Sequence, residues 1–382
     1  MKILAVTGTR ADWGLLAPVL TRLENDPRFE LHLAVTGQHL MAGSNSVDVI
    51  LAAGFSVDHA IDMELGTDDS PAGLAVAMGK ALAGIGQAIA KDAPDMMLVL
   101  GDRYEILAAV NAAVLARVPV AHIAGGDVTE GAFDDAIRHA ITKQSALHFV
   151  TNAEARDRVL QMGEAPENVF LVGSPGIDHI LEMPRVARAD FFQQIGLKDR
   201  ALVFLITFHP ATLEDGNVDH CAAMLASLDS YPTANLIFTG SNADPGARHI
   251  DEMIQTYVDA RSDRAIFISC LGAKLYFSAL EFADIVIGNS SSGLYEAPSF
   301  NLPTVNIGDR QARRLRARSV LDSKPTQMDI TVAIKKALAL ECKDVVNPYG
   351  TGQAAVKIVD AFARIKAPQF LSRKSFHDYR KS

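Results

Sequence analysis

The chain predicts an α/β protein built as two doubly wound, Rossmann-like domains in succession, arranged around a central cleft. Three observations carry that expectation. Apolar runs such as residues 96–100 (MMLVL) and 285–287 (IVI) are short and continuous, as strands buried on both faces of a parallel sheet require. Ala- and Leu-rich stretches with helical spacing separate the runs, and no hairpin signal joins two of them directly. The length of 382 residues exceeds the roughly 250–300 at which a single core stops growing, so two domains are expected.

The first run, residues 3–6, ends at Thr7-Gly8-Thr9-Arg10, after which Leu15, Leu16, Val19, Leu20 and Leu23 repeat at helical spacing. A Gly turn between strand and helix aims backbone N–H groups outward, which suits a phosphate, and Arg10 adds a bidentate cation. Residues 31–35 read as a second strand, residues 58–69 as a polar excursion and residues 71–90 as an Ala/Gly-rich helix. The segment 98–143 organises this half. Its first strand ends at Gly101-Asp102-Arg103, a helix of about residues 106–117 follows, and Pro119 re-sets the chain as extended for a strand over 120–123. That strand runs into Gly125-Gly126-Asp127. Ligands of open α/β sheets gather at the carboxyl ends of strands, and both of these ends place a carboxylate beside glycine. Two more strands, 147–150 and 169–172, complete the half, and the mixed, charged residues 176–200 read as the interdomain connection.

The second half repeats the pattern with strands at 201–206, 235–238, 265–268, 285–287 and 304–307. A helix over 352–366 and a basic tail finish the chain. The expected organisation is a first domain over 1–180, a second over 181–352, and a C-terminal helix and tail over 353–382 that return to the first domain.

Composition excludes several classes. A net charge of −9 argues against a nucleic-acid partner. The apolar runs fall far short of the roughly 20 residues of a membrane helix, so no membrane partner is expected. Cys221, Cys270 and Cys342 form no metal or redox spacing, which points to a reduced cytoplasm and no metal. The chain shows no Ser/His/Asp arrangement, no GxGxxG and no P-loop, and no cofactor is expected.

The candidate chemistry therefore sits at strand ends. Asp102 follows a buried strand directly, where a carboxylate faces the ligand side or pairs with Arg103. Asp134 and Asp135 open a helix; one suffices as a cap, leaving the other for chemistry. His209 emerges at a strand end beside Pro210, and Ser290-Ser291-Ser292-Gly293 forms a hydroxyl-rich turn suited to phosphate oxygens. Arg310, Arg313, Arg314, Arg316 and Arg318 form a dense basic run, read as a local anion site. The residues alone thus indicate a two-domain α/β enzyme for a nucleotide diphosphate, with first-domain carboxylates acting on what the diphosphate carries.

VTGTRADWGLL near the start, LVLGDRYEI around Asp102, HIAGGDVTEGAFDDAIRHAITK, FHP at 208–210, GSNAD at 240–244, IGNSSSGLYEAPS at 287–299, NIGDRQ at 306–311 and NPY at 347–349 occur in this order. Together they resemble the UDP-N-acetylglucosamine 2-epimerase family, in its bacterial UDP-hydrolysing branch that makes N-acetylmannosamine for sialic acid synthesis. The resemblance implies a GT-B-like pair of domains, a homo-oligomer (dimer or tetramer), and a hydrolase that eliminates UDP to 2-acetamidoglucal and adds water with inversion at C2. It implies that Asp102 and Asp134 are catalytic acids and that His209 lies near the glycosidic oxygen. It further implies that Arg10, Arg103, Asn242, Ser290, Ser291, Glu296 and Arg314 hold UDP, Glu296 through the ribose, with Leu271 beside the uracil.

Two positions depart from the family pattern. HIAGGD puts Ala124 where relatives carry an acid/base residue, so Asp127 or Glu130 is expected to supply that carboxylate, although Asp127 also suits a turn. Arg313 stands where relatives commonly have Gly. The alternatives are a hydrolysing enzyme for a 2,4-diacetamido-2,4,6-trideoxy sugar of legionaminic acid synthesis, a glycosyltransferase of the same fold, and a nucleotide-sugar sensor in which Ala124 marks lost catalysis.

Overall fold

The computed structural model describes all residues except 42, 66–69, 129–133, 211–215, 241–246, 313 and 379–382. The chain divides into two compact units, Met1–His179 with Tyr349–Ser382, and Ile180–Pro348. The helix Pro175–Glu182 runs through the first boundary. The return falls at Tyr349 because its carbonyl accepts a 2.7 Å hydrogen bond from the Ser174 N–H, a few residues before the expected position of 353.

In the first unit, β1 (Lys2–Thr7), β2 (Glu30–Val35), β3 (His59–Ala60), β4 (Met96–Leu100), β5 (Val120–Ile123), β6 (Leu147–Val150) and β7 (Val169–Leu171) form a sheet in the order β3-β2-β1-β4-β5-β6-β7. In the second, β8 (Val203–Thr207), β9 (Asn235–Thr239), β10 (Ala265–Ile268), β11 (Ile285–Gly288), β12 (Thr304–Ile307) and β13 (Val320–Ser323) take the order β10-β9-β8-β11-β12-β13. Every pairing is parallel. Strand order therefore reverses between β1 and β4 and between β8 and β11, and these switch points are where such sheets hold ligands.

The continuous apolar runs have a direct cause. Along β1, Ile3 and Ala5 face one core with Trp13, Leu16 and Leu20 of the helix Arg10–Glu24, while Leu4 and Val6 face another with Ile85, Ile106 and Val110. The first core also takes Ile358 and Phe362 of the helix Ala354–Ala363, whose opening N–H groups at Ala354 and Ala355 donate to the buried Asp178 carboxylate at 3.0 and 2.6 Å. Further on, Lys374 pins the tail by donating to the carbonyls of Lys143 and Ser145 at 2.6 and 2.7 Å.

Three features differ from the sequence expectation. The edge strands β3 and β13 are additional, β3 lying inside the polar excursion and β13 directly after the arginine run. Among the described residues, the helix Pro71–Asp92 is long and apolar enough to cross a membrane by length and composition, whereas the apolar runs suggested none. Its Ala77, Ala81, Ile85, Ala88 and Ile89 are buried within the first unit, and much of its apolar character is alanine.

Candidate functional site

The second unit presents a cavity of about 510 Å³ at its switch point, lined by the carboxyl ends of its central strands. The backbones of β8 and β11 approach closely at these strand ends: Gly288 has φ 134°, and a Cβ there would lie 1.9 Å from the Thr207 carbonyl oxygen. Just beyond, the Asn289 side chain accepts from the His209 N–H and donates to the His209 carbonyl, both at 2.7 Å, so the two strand ends are tied and His209 is held in the wall. Leu271, Ala273 and Phe277 give an apolar side suited to a base. Among the polar lining residues the Tyr276 hydroxyl donates to Ser292 at 2.5 Å, and the Ser292 hydroxyl donates to Glu296. Burial raises the Glu296 carboxyl above the usual range against that hydrogen bond, and burial, with Glu296 beside it, raises the Tyr276 phenol. Ser290, Ser291 and Arg314 complete the lining.

The described members of the arginine run have different partners. Arg316 pairs with Asp322 at 3.0 Å and donates to the carbonyls of Gln311, Ala312 and Arg314, so it builds the turn. Arg310 donates to the Asn289 carbonyl at 3.2 Å, Arg318 is exposed, and Arg314 lines the cavity. Arg313, Asn242 and Glu130 lie outside the described residues.

In the first unit the switch point is flanked by the turns after β1 and β4. Thr9 caps the helix Arg10–Glu24 by accepting from the Asp12 N–H, leaving Arg10 exposed at its first turn. After β4, half-buried Asp102 accepts from Arg138, a buried residue one turn into the helix Asp134–Gln144. Burial raises the Asp102 carboxyl; Arg138 opposes the rise and Asp134 adds to it. Arg103 Nε donates to the fully buried Glu105 at 2.6 Å. Sequence reasoning missed Asp12, Glu105 and Arg138. Among the described residues, Asp12 Oδ2 and Glu105 Oε2 have no hydrogen-bond partner, and burial is the main cause that lifts the Asp12 carboxyl to about 6.

The Gly-rich loop after β5 is tightly seated. Ala124 takes a left-handed φ of 65°, and a Cβ on Gly126 would lie 2.3 Å from the Ala155 carbonyl oxygen. Asp127 Oδ1 accepts from Thr151 Oγ1 at 2.7 Å and Asn152 Nδ2 at 3.0 Å, a geometry that favours the turn-holding role over the proton-transfer role considered for it. Burial raises its carboxyl while these donors oppose the rise.

Two neutral imidazoles hold this region. His122 Nε2 faces the Gly101 carbonyl at 2.8 Å and its Nδ1 faces Thr142 at 3.2 Å; His39 pairs with Thr7 at 3.0 Å. Burial lowers His122 to about 3 and His39 to about 4, from an ordinary 6.5. The unfolded chain therefore binds protons below about 6.5 that the folded chain refuses, and stability should fall as pH drops from there toward about 3. Asp12 works oppositely, costing stability as pH rises from about 4 to about 6, but the two imidazoles outweigh it. Urea midpoints at pH 7 and pH 5 should show the loss, and His39→Gln with His122→Asn should reduce that difference; an unchanged difference would refute the assignment.

Two doubly wound parallel-sheet units, each with polar side chains at its switch point, define the GT-B-like class of α/β proteins. The chain belongs to the UDP-N-acetylglucosamine 2-epimerase family, whose profile matches residues 21–363. It is 37% identical over 329 residues to a GDP/UDP-N,N'-diacetylbacillosamine 2-epimerase (hydrolyzing) of Campylobacter jejuni, covering 86% of this chain and 85% of that protein. It is 36% identical over 355 residues to a UDP-N,N'-diacetylbacillosamine 2-epimerase (hydrolyzing) of Legionella pneumophila, covering 93% of each. The fold matches the UDP-GlcNAc 2-epimerase of Neisseria meningitidis bound to UDP-GlcNAc with a TM-score of 0.79 at 21% identity, covering 96% of this chain and 100% of that one.

Proposed function

We propose that the protein hydrolyses a UDP-2-acetamido sugar with inversion at C2, releasing UDP and the free 2-epimer. The observation that carries this is the chemistry at the two switch points: an Arg138-gripped Asp102 in one unit and, in the other, a cavity with an apolar base wall and the Glu296 carboxyl. The C2 proton of such a sugar is barely acidic, so C1–O cleavage leads and positive charge develops at C1, as in glycoside hydrolysis. Asp102 and Asp134 take the roles of proton acceptor and charge stabiliser. His209 serves the departing oxygen; Arg10, Arg103, Asn242, Ser290, Ser291 and Arg314 take the diphosphate, and Glu296 accepts from the ribose hydroxyls while Leu271 packs on the uracil.

Ala124 offers no proton-transfer group, and Asp127 is engaged by Thr151 and Asn152. Asp12 has an uncommitted oxygen and a carboxyl near 6, which makes it the better second acid of the first unit. The two relatives above favour a UDP-2,4-diacetamido-2,4,6-trideoxy sugar as substrate. UDP-N-acetylglucosamine is the second reading, on the motifs from Val6 to Tyr349 that resemble the N-acetylmannosamine-forming branch. Proton NMR of the purified protein with each UDP sugar in turn decides: UDP and free 2-epimer should appear without an acceptor, with the higher kcat/KM on the diacetamido sugar. UDP release only with an added acceptor would indicate a glycosyltransferase, and no turnover on either sugar would indicate a sensor.

The anion site gives a separate expectation. Arg314→Ala should raise KM for the UDP sugar about tenfold to a hundredfold, the loss of a charged hydrogen bond of about 1.5–3 kcal/mol, with a smaller effect on kcat. Calorimetry with UDP should show the same loss; unchanged UDP affinity would remove Arg314 from the site.

A further inference from the structure

A cluster at the β3 edge of the first unit's sheet is untouched by this chemistry. His32 lies early in β2, His59 opens the edge strand β3, and Asp92 ends the helix Pro71–Asp92, so the three are remote in sequence and gather beside the outer strands of the sheet, with β1 between them and β4, whose end carries Asp102. His32 Nδ1 and His59 Nε2 converge on the same oxygen, Asp92 Oδ2, at 2.8 and 2.6 Å. One ligand atom from each residue lies within 4.8 Å of the others. The second nitrogen of His32 faces Glu30 Oε1 at 3.1 Å.

That last contact bears on what the cluster holds. A neutral imidazole has one N–H, yet both nitrogens of His32 face carboxylate oxygens, so one lone pair would point at an anion. That lone pair faces either Asp92 or the Lys2-paired Glu30 unless a second proton or a cation takes it up. We propose that His32, His59 and Asp92 bind a divalent transition-metal ion such as Zn²⁺, with Glu30 accepting from His32 Nε2–H behind the metal. Two imidazoles and one carboxylate are a donor set such ions favour, and a metal-bound imidazole almost always donates its other N–H to a carboxylate or carbonyl. Metal–ligand distances of about 2.0–2.1 Å put donor atoms roughly 3.3 Å apart in a tetrahedron, so the two His–Asp contacts must open by several tenths of an ångström and the two imidazole nitrogens, within 4.8 Å of each other, must settle at the same spacing. Asp92, at a helix end, can move that far. A cavity of about 510 Å³ lined by Asp58, His59, Asp62, Lys80 and Lys91 gives the ion a route in.

Bound there, the ion ties the last turn of the helix Pro71–Asp92 to β2 and to the two-residue edge strand β3. Its effect is on stability, because the ligands are not at the strand ends used for catalysis. The test uses the full chain, stripped with chelator and titrated with Zn²⁺ by calorimetry and with Co²⁺ by visible absorption. One ion per chain should bind, with a tetrahedral Co²⁺ spectrum and a raised melting temperature. His59→Ala should abolish binding. Glu30→Gln, at a solvent-exposed side chain that cannot unfold the protein, should weaken it about 10–100-fold, the usual effect of losing such a partner. His249→Ala, at an exposed pair with Glu252, should change nothing. No Zn²⁺ heat and no Co²⁺ spectrum, or binding unchanged by His59→Ala or by Glu30→Gln, would overturn the proposal and leave a protonated His32 as what joins the two carboxylates.

Discussion

Asp102→Asn is expected to lower kcat for UDP release by about 10²–10⁴-fold while UDP binds as before, because the amide keeps the shape of the carboxyl but cannot take a proton. The half-buried position after β4 raises this carboxyl, and the grip of Arg138 opposes the rise. Removing the grip gives a second arm. In Arg138→Met the main influence opposing burial is gone, so the Asp102 carboxyl rises further and the base is lost at a higher pH. The acid limb of the kcat/KM profile should therefore move upward, with activity at pH 6 falling more than activity at pH 8. Asp12→Asn should lower kcat strongly, whereas Asp127→Asn should lower the melting temperature more than kcat. A full kcat in Asp102→Asn would remove it from the chemistry.

Gly288→Ala should be the most damaging single methyl group in the second unit. It would place Cβ 1.9 Å from the Thr207 carbonyl oxygen at a φ of 134°, so backbone strain and overpacking combine. Together these cost about 3–5 kcal/mol, a large part of the stability of an ordinary domain. The expected result is a lower urea midpoint and loss of UDP binding, since β8 and β11 carry His209 and Ser290 into the cavity wall. Gly86→Ala is the control: nothing lies within 4 Å of the added Cβ, the site is mid-helix, and the change should be neutral or stabilising by up to about 1 kcal/mol. Equal losses in both variants would contradict the close approach.

The central strands were legible in the sequence because burial on both faces writes itself as an unbroken apolar run, and their ends were legible because Gly and polar residues interrupt it abruptly. The edges were not. Two-residue β3 has no run to read, and β13 follows five arginines whose charge masks the pattern. The site divides similarly. Asp102, His209 and Ser290 stand at strand ends where their residue types are conspicuous, but Arg138 sits inside a helix and meets Asp102 across 36 residues, a pairing no local pattern shows. Asp12 and Glu105 lie in the first turns of helices, where an acid needs no special reading; only burial sets them apart. Within the arginine run the sequence could not divide the labour: Arg316 folds the turn and Arg314 alone among the described members lines the cavity.

The elimination pathway itself is tested most directly by running the reaction in deuterium oxide and reading the product by proton NMR. Deprotonation at C2 followed by re-protonation from solvent on the opposite face requires one deuterium at C2 of the released 2-epimer, formed together with UDP. A product that retains its C2 proton would contradict elimination to a 2-acetamidoglucal, and with it the roles given to Asp102 and Asp134.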